Sequence, residues 1–205
     1  MTQKPTAVPS ITPTSGFPTI PTRIRDTRDA QVPPLVVSPA AEQDKQAVCQ
    51  SLSELGIKLA EVHRTAAEAY LSQSMYEEAL PHLGAAATFS PTEMEYHLQY
   101  GFVQYLTGDD IGAIKSFNTV IAADENHGEA WFNLGMVLFG QEQFTEAEYC
   151  FSRCCQIDGN DAQTWNNRGV CLWRMERIED ARTCFQNAIK IDPNDDDAKF
   201  NLSAI

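Results

Sequence analysis

The 205-residue chain lacks any apolar run approaching the ~20 residues needed to cross a membrane as a helix. Its start, Met1 to Pro21, has prolines every few positions and no continuous apolar stretch of the kind a secretory signal requires. Basic residues are scarce, since 15 lysines and arginines stand against 28 aspartates and glutamates, giving a net charge of −13. We therefore expect an acidic, cytoplasmic protein that does not insert into membranes, and its charge disfavours nucleic acid as a partner.

Patterns that mark catalytic or metal sites are missing as well. The sequence holds no glycine-rich phosphate loop, no nucleophile elbow and no cysteine pair at CxxC spacing. Its four histidines form no cluster, and we interpret the six cysteines as small packing residues in a reducing compartment. We predict that the protein is not an enzyme and binds no metal and no cofactor.

A period of 34 residues organises most of the chain. Small residues recur at this interval, and an alanine follows each of them after twelve residues: Ala67, Gly101, Gly135, Gly169; Ala79, Ala113, Ala147, Ala181. A bulky apolar residue comes four residues after each alanine: Leu83, Phe117, Phe151, Phe185. Small residues let two helices approach closely, and a bulky side chain on the same face fills the remaining gap. The spacing predicts stacked pairs of antiparallel helices.

These residues resemble the tetratricopeptide repeat. The fourth copy carries the resemblance most fully: Trp165, Arg168, Gly169, Leu172, Ala181, Phe185, Ala188 and Pro193. The third copy matches through Trp131, Leu134, Gly135, Leu138, Ala147, Phe151 and Cys154. The resemblance implies an all-α, right-handed solenoid of four helix hairpins with flanking capping helices, and the register places the repeats at 60–93, 94–127, 128–161 and 162–195.

Three segments flank the predicted repeats. Residues 1–41 contain eight of the eleven prolines and many serines and threonines, a composition that predicts a disordered arm. Residues 42–59 carry an apolar stripe at helical spacing and predict a leading helix, which either caps the first repeat or contacts a second copy in a homodimer. Residues 196–205 predict a short C-terminal capping helix.

In this family, the first helix of each repeat lines a concave groove. Carried onto this sequence, the groove residues are Leu98, Phe102, Tyr105, Phe132, Met136, Phe139, Asn166, Val170 and Trp173, with Glu95 and Glu129 along one edge. The resemblance implies that this surface binds a protein or peptide segment. Its apolar centre and acidic edge favour an extended, apolar segment with a basic flank. The alternative is that some of these side chains only pack between neighbouring helices.

Three functions remain open from the sequence. The first is a non-enzymatic scaffold or adaptor that holds a partner segment in the groove. The second is a secretion chaperone, because the acidic repeats behind a leading helix resemble the chaperones of type III secretion translocators, which keep an apolar client soluble. The third is an assembly subunit whose proline-rich arm recruits a second partner.

Overall fold

A computed structural model describes residues 39–205, and this part of the chain is helical, without a β-strand. In chain order, its nine helices are α1 Pro39–Leu71, α2 Tyr76–Phe89, α3 Met94–Leu106, α4 Asp110–Ala123, α5 Gly128–Gly140, α6 Phe144–Ile157, α7 Ala162–Arg174, α8 Ile178–Ile191 and α9 Asp196–Ser203. The arm predicted over residues 1–41 lies outside the described residues, except for the last three, which begin α1. Within 39–205, no helix is both long and apolar enough to cross a bilayer.

The helices pack in consecutive hairpins. In the repeats, α3 pairs with α4, α5 with α6 and α7 with α8, and each hairpin also packs on the next. Helix α1 meets α2 through His63 and His82, whose ring centroids lie 5.2 Å apart. The odd-numbered helices form one layer, in which α3 contacts α5 and α7 contacts α9. The predicted right-handed α-solenoid of four helix hairpins is confirmed.

Glycines in the first helices of three hairpins bring the paired helices close together. A Cβ added to Gly101 or Gly135 would stand 2.9 Å from the ring of Phe117 or Phe151 respectively, which is closer than real Cβ contacts allow. All three ring partners of these glycines are fully buried, including Phe185 opposite Gly169. Each of these three hairpins is therefore held together by an aromatic ring that packs directly against the backbone of a glycine.

The first hairpin uses a different pair. Ala67 takes the place of the glycine and Leu83 the place of the phenylalanine, and both are fully buried in a cluster with Val103. The extra methyl group on one helix is matched by a smaller side chain on the other. Because total volume is roughly conserved, the same hairpin geometry forms from a different pair of residues.

Helix α1 runs without interruption through the junction between residues 59 and 60. The leading segment and the first helix of the first hairpin are thus one helix of 33 residues, about 50 Å long at 1.5 Å per residue. Helix α2 ends beside Gly56, where an added Cβ would lie 3.2 Å from the carbonyl oxygen of Phe89. All residues from Gln43 to Leu55 are exposed. A capping role for residues 42–59 stays a prediction.

Candidate functional site

The predicted groove residues lie on the layer of odd-numbered helices, and their exposure differs widely. On α3, Phe102 is 46 % exposed, and Leu106, one helical turn later, is 42 % exposed. Leu98 lies one turn before Phe102 but is only 3 % exposed, because it packs into the core between α3 and α5. Phe102 and Leu106 can therefore contact another molecule directly, whereas Leu98 supports the surface from beneath.

The aromatic residues of α5 are partly buried and packed against the same core. Phe132 meets Phe151 edge to face, with ring centroids 5.8 Å apart, and Phe139 meets Phe144 in the same way at 5.6 Å. Tyr105 and Met136 join the same cluster. These contacts fix the orientation of the rings.

At the far end of this layer, the predicted residues of α7 meet α9. Val170 and Trp173 are partly buried in a cluster that includes Leu202 and Ile205. The amide of Asn166 accepts a hydrogen bond from Asn201 at 2.9 Å. This end of the surface is therefore occupied in part by the chain's own last helix.

Carboxylates lie in the first turns of α3 and α5, and one amide lies on α3. Glu95 and Glu129 are exposed. Gln99 donates from Nε2 to Glu95 at 2.6 Å, while its Oε1 is buried and receives no hydrogen bond from the described residues. A buried acceptor without a donor is costly unless a ligand or water supplies one.

Sequence reasoning did not single out Gln99. The available signal was its place in the repeat, since residues 34 and 68 positions later are the polar Asn133 and Asn167. Asn167 reaches across to α5, where its Nδ2 lies 3.5 Å from the sulfur of Met136. The sixth residue of these repeats thus places polar groups along the same layer.

The described residues offer little chemistry of other kinds. No three histidine, cysteine, aspartate or glutamate side chains within 39–205 lie close enough to hold a metal ion. Burial raises the pKa of the Cys150, Cys155 and Cys171 thiols to about 12 and that of Cys184 to about 11. These thiols are therefore protonated at neutral pH, and a protonated thiol is a poor nucleophile and metal ligand.

The fold defines a helical-repeat protein built from stacked helix hairpins. The tetratricopeptide repeat family matches residues 128–161 and 162–195, so the chain carries tetratricopeptide repeats. A curated relative, "BBSome complex member BBS4" of Bos taurus, is 31% identical over 84 residues, 41% of this chain. The chain spans only 16% of that relative's length.

Solved structures share the fold. MamA from Desulfovibrio magneticus RS-1 superposes with a TM-score of 0.68 at 24% identity, over 71% of this chain and 82% of that chain. YrrB, described as a tetratricopeptide-repeat protein with an unusual peptide-binding site, superposes with a TM-score of 0.64 at 23% identity, over 78% and 86% of the two chains. At these identities the likeness concerns the fold alone.

Proposed function

We propose that this chain is a non-enzymatic scaffold that binds an extended segment of a partner protein across α3, α5 and α7. The observation that carries the proposal is the exposure of Phe102 and Leu106, two large apolar side chains one turn apart on α3. Tyr105 on the same helix and Phe132 on α5 add partly exposed aromatic rings to the same helix layer. Apolar and aromatic side chains in a continuous patch are typical of surfaces that bind proteins.

The polar groups favour a particular kind of segment. The exposed Glu95 and Glu129 suit a lysine or arginine that flanks apolar anchors. The negative charge of residues 60–205, with 23 acidic and nine basic side chains, attracts such a segment over a longer range. We therefore propose an apolar segment with a basic flank.

The test compares a double change on α3 with a single change at an exposed position on α4. We expect Phe102→Asp with Leu106→Asp to lose partners that the wild type retains in a quantitative pull-down from the source cells. The matched control is Ile111→Asp, since Ile111 is 83 % exposed on α4, in the other helix layer. The circular dichroism spectrum of each variant shows whether it is folded. Retention of every wild-type partner by the folded double variant would refute the proposal.

A chaperone for an aggregation-prone client is the second candidate, favoured by the apolar character of the exposed α3 residues. It predicts that an apolar client stays soluble only when it is co-expressed with the wild type, and precipitates beside the Phe102→Asp, Leu106→Asp variant. An adaptor, in contrast, binds a partner that is already folded and soluble. The third candidate, recruitment through a proline-rich arm, concerns residues outside the described part of the chain.

A further inference from the structure

Helix α1 carries an apolar stripe that the described side chains leave largely exposed. We define the leading stripe as Val48, Leu52, Leu55, Leu59 and Val62. Four of its members are between 59 and 63 % exposed, and Leu59 is 37 % exposed. Five large apolar residues on one helix face, all in contact with water, are unusual for a protein surface.

The leading stripe faces away from α3. Helix α1 meets α3 through Glu61, whose carboxylate lies 3.4 Å from the hydroxyl of Tyr96. At 100° per residue, the stripe lies roughly 150° around α1 from Glu61 and Glu68. It therefore lies on the opposite side of the helix from α3 and is separate from the proposed partner-binding surface.

The spacing of the stripe is that of a coiled coil. Its members follow one another at intervals of four, three, four and three residues, which is the a/d pattern of two heptads. The intervals are also nearly symmetric about Leu55, with Val48 and Val62 seven residues away on either side. A second copy that runs in the opposite direction therefore presents Val62 to Val48, Leu59 to Leu52 and Leu55 to Leu55.

We propose that the leading stripe binds the leading stripe of a second copy of this chain, forming an antiparallel coiled coil centred on Leu55. This partner goes beyond the proposed scaffold function and uses a different surface. Each protomer keeps its odd-numbered helix layer free, so the dimer presents two partner-binding surfaces at its opposite ends.

Charge supports a second copy over a basic partner. Residues 43–59 hold two acidic and two basic side chains, whereas residues 60–205 hold 23 acidic and nine basic ones. Two copies repel each other through their repeats but not through the neutral leading segment. A basic partner gains attraction at the repeats and none at the stripe. The antiparallel direction also places the two acidic repeat arrays at opposite ends, where their repulsion is weakest.

The size of the stripe sets the expected affinity. Burying it in both protomers removes on the order of 1,000 Å² from water, which is the lower limit for a specific protein interface. We therefore expect a reversible dimer with a dissociation constant on the order of 1–100 µM.

Sedimentation equilibrium of the full chain tests the proposal between about 1 and 300 µM, a range set by that expected affinity. We expect the wild type to show a monomer–dimer equilibrium and Leu52→Glu with Leu55→Glu to weaken it at least tenfold. Both positions lie beyond the end of α2, so the variant should keep the wild-type melting temperature. The control Ile111→Glu, at an even more exposed apolar position on α4, should dimerise like the wild type.

Two results would overturn the proposal. One is a wild type that stays monomeric over the whole concentration range. This outcome includes the case in which residues 1–38 occupy the stripe, so that the double variant changes only the shape of the monomer. The other is a dimer that the double variant leaves intact, since the contact then lies elsewhere.

Disulfide cross-linking tests the direction of the helices. In a Cys49→Ser background, a mixture of Val48→Cys and Val62→Cys chains should form a mixed disulfide, because an antiparallel pair brings these positions within bonding distance. Val48→Cys alone should cross-link poorly. Efficient cross-linking of Val48→Cys to itself would indicate a parallel pair and refute the antiparallel arrangement.

Discussion

The first and the fourth hairpins have the same architecture but are built from different residues. The fourth holds Gly169 against Phe185, and the first holds Ala67 against Leu83, with all four residues buried. The tetratricopeptide repeat family matches residues 128–161 and 162–195, which include the fourth hairpin but not the first. Family resemblance thus follows the identity of the packing residues, whereas the fold requires only that their volumes complement each other.

The largest expected effect comes from exchanging one packing pair for the other. An added Cβ at Gly169 would lie 2.5 Å from the Phe185 ring, so we expect Gly169→Ala to destabilise the protein by about 1–3 kcal/mol. Adding Phe185→Leu recreates the pair of the first hairpin and should recover part of that loss. Urea unfolding of the single and double variants measures the loss of unfolding free energy and the part of it that is recovered.

Gly140 provides the matched control for this exchange. It lies at the end of α5, and an added Cβ would meet nothing within 4 Å. Gly140→Ala should therefore leave stability unchanged or raise it by up to about 1 kcal/mol. If Gly169→Ala lowers the unfolding free energy no more than Gly140→Ala does, complementary volume does not explain the packing of the fourth hairpin.

Ion pairs should give a smaller difference in stability between the first and the fourth hairpins. Arg168 of α7 donates from Nε to Glu148 of α6 at 2.8 Å, with side chains 25% and 17% exposed. Glu148→Gln leaves the Arg168 guanidinium half-buried without its counter-charge, and we expect a loss of about 1–2 kcal/mol. A melting temperature equal to that of the wild type would show that the pair contributes nothing.

The first hairpin supplies the comparison pair, in which Arg64 and Glu61 belong to the same helix. The hydrogen bond from the Arg64 guanidinium to Glu61 lowers the pKa of Glu61, but the side chain of Glu61 is 54% exposed. Because water screens such a pair, Glu61→Gln should not measurably change the melting temperature. A large drop would mean that Glu61 does more than pair with Arg64, for instance through Tyr96.

The smallest expected effect concerns reactivity and leaves stability unchanged. Cys49 is exposed on the leading segment, whereas the five cysteines of the repeats are buried. At pH 8 we expect a disulfide reagent to modify one thiol quickly and the other five only when urea unfolds the chain. Cys49→Ser should abolish the fast phase. A second fast thiol would indicate that a repeat opens locally under native conditions.

The hairpins could be predicted from the sequence because their packing pairs recur at a fixed interval. The spacing of Gly135, Ala147 and Phe151 depends only on local helix geometry, so it specifies which faces meet. The same logic extends to the first hairpin, where the register holds although the residues differ. Sequence periodicity was sufficient for the solenoid.

The turns inside the hairpins could not be predicted in this way. Ser74, Gly108, Glu142 and Glu176 lie 34 residues apart, and each has a positive φ, between 57° and 84°. Only one of the four is a glycine, the residue that normally signals this conformation. The hydrogen bonds of the helix end impose it on the other three, and that cause is not visible in the sequence pattern.

The candidate site was only partly predictable, for a similar reason. Leu98 and Phe102 occupy neighbouring turns of one helix, yet Leu98 is buried in the core cluster that α3 shares with the next helices, whereas Phe102 is exposed. Asn166 is paired with Asn201, 35 residues away. Such outcomes depend on how neighbouring hairpins approach each other, and repeat position alone does not determine that. Whether the predicted residues bind a partner stays a prediction.

The unbroken course of α1 has a mechanical consequence. A flexible linker between the leading segment and the first hairpin would let each rotate on its own, but a continuous helix transmits torque and bending along its whole length. A molecule that binds the helix near Val48 therefore fixes the orientation of Ala67 and of the hairpins that follow it. The leading segment and the first helix of the first hairpin therefore share one helix axis.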